Sequence, residues 1–202
     1  MAIRVMTMLE APLNNYTQCG IPHCSSQALF RCVDCDYSDL ACQKCPVEAH
    51  QCLPFHKIQR WNSVFFETTT LIDCGLVYFV NHGRQACPHV YGGSGPQEIT
   101  IIDVNGIHQV AMGWCRCAGA PPFTEQLFLR HLFPASYQQP KIAFTFRVLK
   151  LFHMFNHVAR TTPWDFAGAM NRLTDNADVC AYPVSLQETK TDTEYPMLIL
   201  FP

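Results

Sequence analysis

The sequence predicts an α+β fold: a small metal-stabilised module, then antiparallel β hairpins, then a C-terminal helical segment. Three observations predict it. Cysteines and histidines crowd residues 19–56, β-branched and aromatic residues surround an Asn105-Gly106 turn within 61–117, and apolar residues recur at helical spacing beyond 141. At 202 residues, with 49% hydrophobic and 15% charged, the chain can bury a core.

Residues 1–18 read as a weakly ordered lead-in with one Arg and no apolar run of signal-peptide length. Residues 19–60 carry a ladder of Cys19, Cys24, Cys32, Cys35, Cys42, Cys45, His50 and His56. A Cys-x-x-Cys turn offers two thiolates from one knuckle, and zinc takes four such ligands in a tetrahedron. Eight ligands therefore predict two Zn2+ ions, and a short segment of this kind draws its stability from metal. Two pairings satisfy the count. Sequential use joins Cys19, Cys24, Cys32 and Cys35, then Cys42, Cys45, His50 and His56. Interleaved use joins Cys19, Cys24, Cys42 and Cys45, then Cys32, Cys35, His50 and His56. Both give one all-cysteine set and one set of two cysteines and two histidines, so ligand identity does not choose between them. His23, beside Cys24, is a reserve. The competing reading is a set of buried free cysteines, and the repeated pair spacing argues against it.

Residues 61–123 read as a β-rich segment with a third zinc. Val64–Thr70 and Leu71–Val80 are strand-like, and Ile99–Val104 and Ile107–Met112 flank Asn105-Gly106, a strong hairpin signal. Residues 82–96 read as loop. The hairpin end and this loop can bring together His82, Cys87, Cys115 and Cys117, with His89 and His108 in reserve; strand-end cysteines without metal are the competing reading. Cys52, Cys74 and Cys180 have no partner by spacing and read as free thiols. Residues 124–176 read as helical, over 124–133, 141–159 and 164–173. Ile142, Val148, Leu149, Phe152, Phe155 and Val158 recur at helical spacing along the second, and Pro163 opens the third. Residues 177–202 form a divergent tail.

No catalytic pattern stands out. His153 and His157 are one helical turn apart, but Met154 replaces the glutamate a zinc-protease helix needs, so they read as surface histidines. Asp103 ends a strand, where a metal-dependent nuclease would place a carboxylate. Glu125, Asp165, Asp175 and Asp178 show no matching spacing, and an Asp beside Asn-Gly more often serves the turn. The expectation is a non-enzyme. The formal charge is −2 and the 14 basic residues form no run. Nine thiolates binding three divalent ions would bring the charge to −5, which argues against simple nucleic-acid binding. Twelve cysteines, nine of them in metal-like spacing, predict an intracellular protein, and no stretch reaches the length of a membrane span.

Several stretches together carry a family resemblance. They are the run from Leu29 to Cys35, Cys42 to Cys45, Ala49-His50, Pro54 to His56 and Arg60 to Asn62. Leu76 to His82, Cys87-Pro88, Ile101 to His108 and Cys115-x-Cys117 follow, and then Phe133 to Ala135, Ala143 to Arg147, Leu151 to His153 and Leu173 to Asn176. Over residues 19–176 the chain resembles the cysteine-cluster domain that precedes the catalytic domain of fungal Kyakuja–Dileera–Zisupton (KDZ) transposases. The ladder also resembles a B-box zinc module, which implies the interleaved pairing. The KDZ resemblance implies a nuclear accessory region that binds zinc and contacts DNA or a transposase subunit. It places strand-transfer chemistry in a later domain, and the expectation is that this domain is absent and that the chain is a fragment, a relic or a stand-alone module. The alternatives are a B-box-like protein-interaction module without nucleic acid and, more remotely, a nuclease or transposase using Asp103.

Overall fold

The computed structural model describes residues 18–36, 39–89 and 95–175. The lead-in before Gln18 and the tail from 176, with Cys180 and Asp178, lie outside the described residues. The chain divides into two compact units, Met1–Tyr78 and Phe79–Pro202. Strands and helices are both present, so the α+β class holds.

In the first unit, strands β1 (Phe30–Cys32), β2 (Ile58–Trp61) and β3 (Phe66–Thr69) form an antiparallel sheet in that order, with the short helix α1 (Lys44–Ala49) between β1 and β2. Phe30 stands opposite Arg60, and Ile58 opposite Thr69. The β2–β3 turn is set by Asn62, whose side-chain oxygen accepts from the backbone N–H groups of Val64 (3.0 Å) and Phe65 (2.9 Å). Phe30, Ile58, Leu71 and Leu76 form one small core, and Ala28, Leu40 and Phe66 another. Clusters of this size do not by themselves order a chain of this length.

The second unit is entered through β4 (Val77–Phe79), which straddles the boundary, and its five-stranded sheet runs β4, β6 (Gly106–Gly113), β5 (Gln97–Asp103), β8 (Ile142–Thr145), β7 (Leu132–Pro134). Strands β5 and β6 form a long antiparallel hairpin, while β8 lies parallel to β5 and antiparallel to β7. Helices α2 (Phe123–Phe128), α3 (Phe146–Ala159) and α4 (Pro163–Thr174) complete it. The core joins Ile102, Ile107 and Phe144 of the sheet to Val148, Leu149 and Phe152 of α3 and Phe166 and Met170 of α4. Gly113 lets β6 approach β4 closely, since a Cβ there would lie 2.2 Å from the Phe79 ring.

Several sequence expectations shift. The run Leu71–Val80 is strand only at Val77–Phe79. Thr70 and Asp73 bond reciprocally (2.5 Å between side chains), and Gly75 at φ 98° turns the chain where β residues alone would extend it. The hairpin loop is Val104–Asn105, with Asp103 paired to Gly106, one residue earlier than the Asn-Gly signal centres it. Helix α2 stops at Phe128, and Leu132–Pro134 becomes a strand. The stretch expected to be helical from 141 is the buried strand β8 as far as Thr145, whose hydroxyl oxygen then caps α3 by accepting from the Val148 N–H at 3.2 Å. Ile142 continued the helical spacing by coincidence: a strand that runs straight into a helix keeps its apolar residues on the core side.

Candidate metal centres

Each expected ligand can be located. In the first unit, residues 18–27 fold back on themselves through a Gln18–Gln27 bridge and a Cys19 N–H to Ser26 carbonyl bond (2.9 Å). His23, at φ 67°, turns the chain so that Cys24 faces the same side as Cys19. The Cys42 N–H then donates to the Cys19 sulfur at 3.3 Å, bringing in the second knuckle. Cys32 ends β1, and Cys35 lies in the bend that follows. That bend is latched to the histidine segment by the Lys57 N–H on Asp34 (2.6 Å) and the Val33 N–H on the Lys57 carbonyl (2.9 Å).

The ligands converge in interleaved order. Cys19, Cys24, Cys42 and Cys45 form one group, and Cys32, Cys35, His50 and His56 another; within each group the ligand atoms all lie within 4.8 Å of one another. Zinc bonds of about 2.3 Å to sulfur and about 2.0–2.1 Å to nitrogen put tetrahedral donors about 3.8 Å (S···S) and about 3.6 Å (S···N) apart. The observed separations are 3.8 Å for Cys24–Cys42 and 3.5 Å for Cys42–Cys45. They are 3.5 Å for Cys32–His56, 3.4 Å for Cys35–His50 and 3.3 Å for Cys35–His56. A disulfide would need about 2.05 Å, and the cysteines are free. Both groups therefore have the size of a tetrahedral ion's coordination shell.

His50 is further prepared. It is buried, and its Nδ1–H donates to the Pro46 carbonyl at 2.8 Å, leaving Nε2 facing Cys35. A ligand histidine needs this arrangement: the second nitrogen is held and the first keeps its lone pair. The sequence offers no signal for Pro46, because the contact is made by its backbone.

The third group is His82, Cys87, Cys115 and Cys117, again within 4.8 Å. His82 Nε2 lies 3.1 Å from the Cys115 sulfur and 3.4 Å from that of Cys117, and Cys87 and Cys117 are 3.7 Å apart. His82 is aimed by a left-handed turn in which His82, Gly83 and Arg84 have φ of 52°, 61° and 71°. Two non-glycine residues there cost about 1–2 kcal/mol each, so the turn persists because its surroundings hold it. His89 sits just outside, its Nδ1 3.3 Å from the Cys117 sulfur. His108 is elsewhere, its Nε2 on the Asn105 side-chain oxygen at 2.8 Å. His23 joins no group.

One residue behind this group was missed. Gln126 of α2 is buried, and its oxygen accepts from the Cys115 N–H (2.9 Å) and the Asn81 amide (3.3 Å). Its amide nitrogen donates to the carbonyls of Cys115 (3.0 Å) and Pro121 (2.9 Å). It thus clamps the backbone of one ligand and ties it to the residue before another. A lone Gln on a short helix gives no sequence cue to such a role.

The thiols are unevenly biased. Bonds from the Ser26 N–H and hydroxyl lower Cys24 to about 7. The Arg116 N–H, outweighing burial, lowers Cys87 to about 6. Burial, then neighbouring thiols, raises Cys45, and the same causes raise Cys117 to about 11; burial likewise raises Cys32 to about 11. Adjacent thiolates repel, so one cluster cannot ionise completely unless a cation balances it.

Other polar candidates are structural in position. Asp103 is buried, accepts from the Thr145 hydroxyl at 2.6 Å and pairs with Arg147. No Glu or Asp joins any His/Cys/Asp/Glu group among the described residues. Asp165 shares a reciprocal cap with Thr162 at the start of α4. His153 and His157 lie with ring centroids 5.4 Å apart on α3.

A cysteine pair one residue apart at a hairpin end, joined to a His and a Cys from the preceding loop, is the feature that can be compared across proteins. The family of CxC2-like cysteine clusters associated with KDZ transposases matches residues 71–178, more than half of the chain. The chain belongs to that family. No curated protein and no solved structure matched. The CxC2 match takes in the third group, Gln126 and all of α3 and α4, while the ladder of residues 19–56 precedes it. Among the described residues of this CxC2 protein, no helix is long and apolar enough to cross a membrane.

Proposed function

We propose that this chain is a non-catalytic, zinc-binding accessory module that acts in the nucleus with a KDZ-type transposase, contacting its DNA or one of its subunits. One observation carries the reading: three Cys/His groups with donor separations of a tetrahedral shell lie in a chain of a transposase-associated cysteine-cluster family. Zinc is the ion best suited to tetrahedral sets of thiolates alone or of thiolates with imidazoles. It would be held by Cys19, Cys24, Cys42 and Cys45, by Cys32, Cys35, His50 and His56, and by His82, Cys87, Cys115 and Cys117. Each group supplies four protein donors, the closed arrangement of a structural site, so the ions cross-link chain segments. With Asp103 committed to Thr145 and Arg147, no carboxylate set for two-metal chemistry supports a nuclease reading among the described residues.

A second reading has support of its own. Residues 18–78 carry four Lys/Arg against six Asp/Glu. An acidic zinc module suits a protein partner better than phosphate, so the first unit is read as a protein-interaction element. Metal analysis by native mass spectrometry of the full chain is the first test. Two to three zincs per chain are expected, and fewer than two in metal-replete protein would overturn the reading. Binding of the zinc-loaded chain to duplex DNA in low salt tests the DNA half. With no binding there, the transposase subunit is the remaining partner.

A further inference from the structure

Charge is unevenly divided. Residues 79–175 carry eight Lys/Arg against five Asp/Glu, the reverse of the balance in residues 18–78. Helix α3 has no acidic residue. It packs on the sheet through Val148, Leu149 and Phe152. At about 100° per residue, its outward arc holds Phe146, Arg147, Lys150, Met154, His157 and Val158, all exposed. Val158 is 81% exposed and Met154 52%, so apolar tips stand among the cations of this arc. We propose that this face of α3 is a docking surface for duplex DNA, an assignment that rests on the DNA half of the proposed function and gives it a location.

The arrangement of the face selects the partner. A helix lying on a membrane keeps its apolar residues apart from its cations. Here the segregated apolar stripe already faces the core, and the outer arc mixes cations with apolar tips. Such a mixture suits a groove in which phosphates line the walls and base edges form the floor. Fourteen residues extend about 21 Å, and the major groove, about 12 Å wide, admits one helix. Arg147 is also pre-ordered. One guanidinium nitrogen is fixed on buried Asp103 while the side chain stays 68% exposed, so its remaining N–H donors face outward with little rotamer freedom left to lose.

The test is fluorescence anisotropy of the zinc-loaded full chain on a labelled duplex of about two helical turns. Arg147 and Lys150 on two phosphates give a log–log salt slope near −1.8, so affinity falls about twelve-fold from 50 to 200 mM salt. Lys150→Glu and the double variant Lys150→Glu/His157→Glu touch neither the core nor the metal groups, and Lys141→Glu makes the same charge change at an exposed residue off α3 and away from every metal group. Lys150→Glu is expected to weaken binding about tenfold and flatten the slope by about one, with Lys141→Glu close to wild type. DNA binding that Lys150→Glu and Lys141→Glu reduce equally, or not at all, would overturn the α3 assignment and leave the DNA reading standing. No binding by wild type even at low salt would remove both. Competition by acidic polypeptide as effective as that by DNA of equal charge would also overturn the assignment, by assigning the face to a protein.

Discussion

Gln126→Met keeps the length and shape of the side chain and deletes its polar end. Four hydrogen bonds disappear, two of them to the N–H and carbonyl of buried Cys115. A buried backbone group left without a partner costs about 1–3 kcal/mol, so the two on Cys115 together cost about 4 kcal/mol. Those to Asn81 and Pro121 add less, because both residues are half-buried and water can replace the lost partner. At about 4 °C per kcal/mol for a unit of this size, the second unit should melt about 16 °C lower. The consequence reaches the ligands, since the backbone that carries the Cys115 sulfur is no longer held. Losing a bond that orients a ligand changes metal affinity about 10–100-fold. One zinc equivalent, that of the third group, should pass to a competing chelator at least tenfold faster, with the other two unchanged. Calorimetry with a colorimetric chelator assay reads both quantities. A Gln126→Met variant that melts within a degree of wild type and releases all its zinc at the wild-type rate would refute the clamp.

Three further outcomes follow from the same geometry. Asp103→Ala leaves Arg147 and Thr145 without their shared acceptor and should destabilise the second unit by about 3 kcal/mol, read by denaturant melts; Asp103→Asn should cost less because Thr145 keeps a partner. Stability indistinguishable from wild type in both would mean that the buried carboxylate is idle. In metal-loaded protein, alkylation at pH 8 should modify exposed Cys52 first and Cys74 slowly, because burial first, then the Asp73 charge, raises the Cys74 thiol and leaves less thiolate at any given pH. Peptide mapping showing Cys74 reacting first would contradict that environment. A strong chelator should open residues 19–60 to hydrogen exchange while α3 and α4 stay protected. Helices that exchange before the ladder would reverse the proposed division of stability.

Much of the candidate site was legible because its signals are local. Cys-x-x-Cys and Cys-x-Cys are short-range patterns, and all three converging groups consist of residues whose type and spacing mark them. The β5–β6 hairpin was legible for the same reason, apart from a one-residue shift in its turn. What failed depended on distant chain. Strand β8 exists because β5 accepts it in parallel, with Thr100 opposite Ile142 and Ile102 opposite Phe144, and no window around 142 contains that information. Strand β7 depends on β8 in turn. Gln126 and the Pro46 carbonyl act through bonds across sequence or through the backbone, where residue type is silent.

The interleaving has a consequence for how the first unit holds together. The all-cysteine group spans residues 19–45 and the cysteine–histidine group spans 32–56, so each closes a loop that contains two ligands of the other. Two sequential sites would restrain two separate short loops, and either could open alone. Here, if both groups hold ions, releasing one would free segments that the other needs in register: β1 ends in Cys32, and the 42–45 knuckle leads through α1 directly to His50. The cost of ordering these segments would be shared, so the first ion to bind would bear most of it and the second less. An overlapping pair of this kind lets seven buried apolar side chains suffice where a sequential pair would need a larger core. The second unit, with its continuous sheet and helix core, needs no such overlap, and the one group among its described residues joins a loop to a hairpin end.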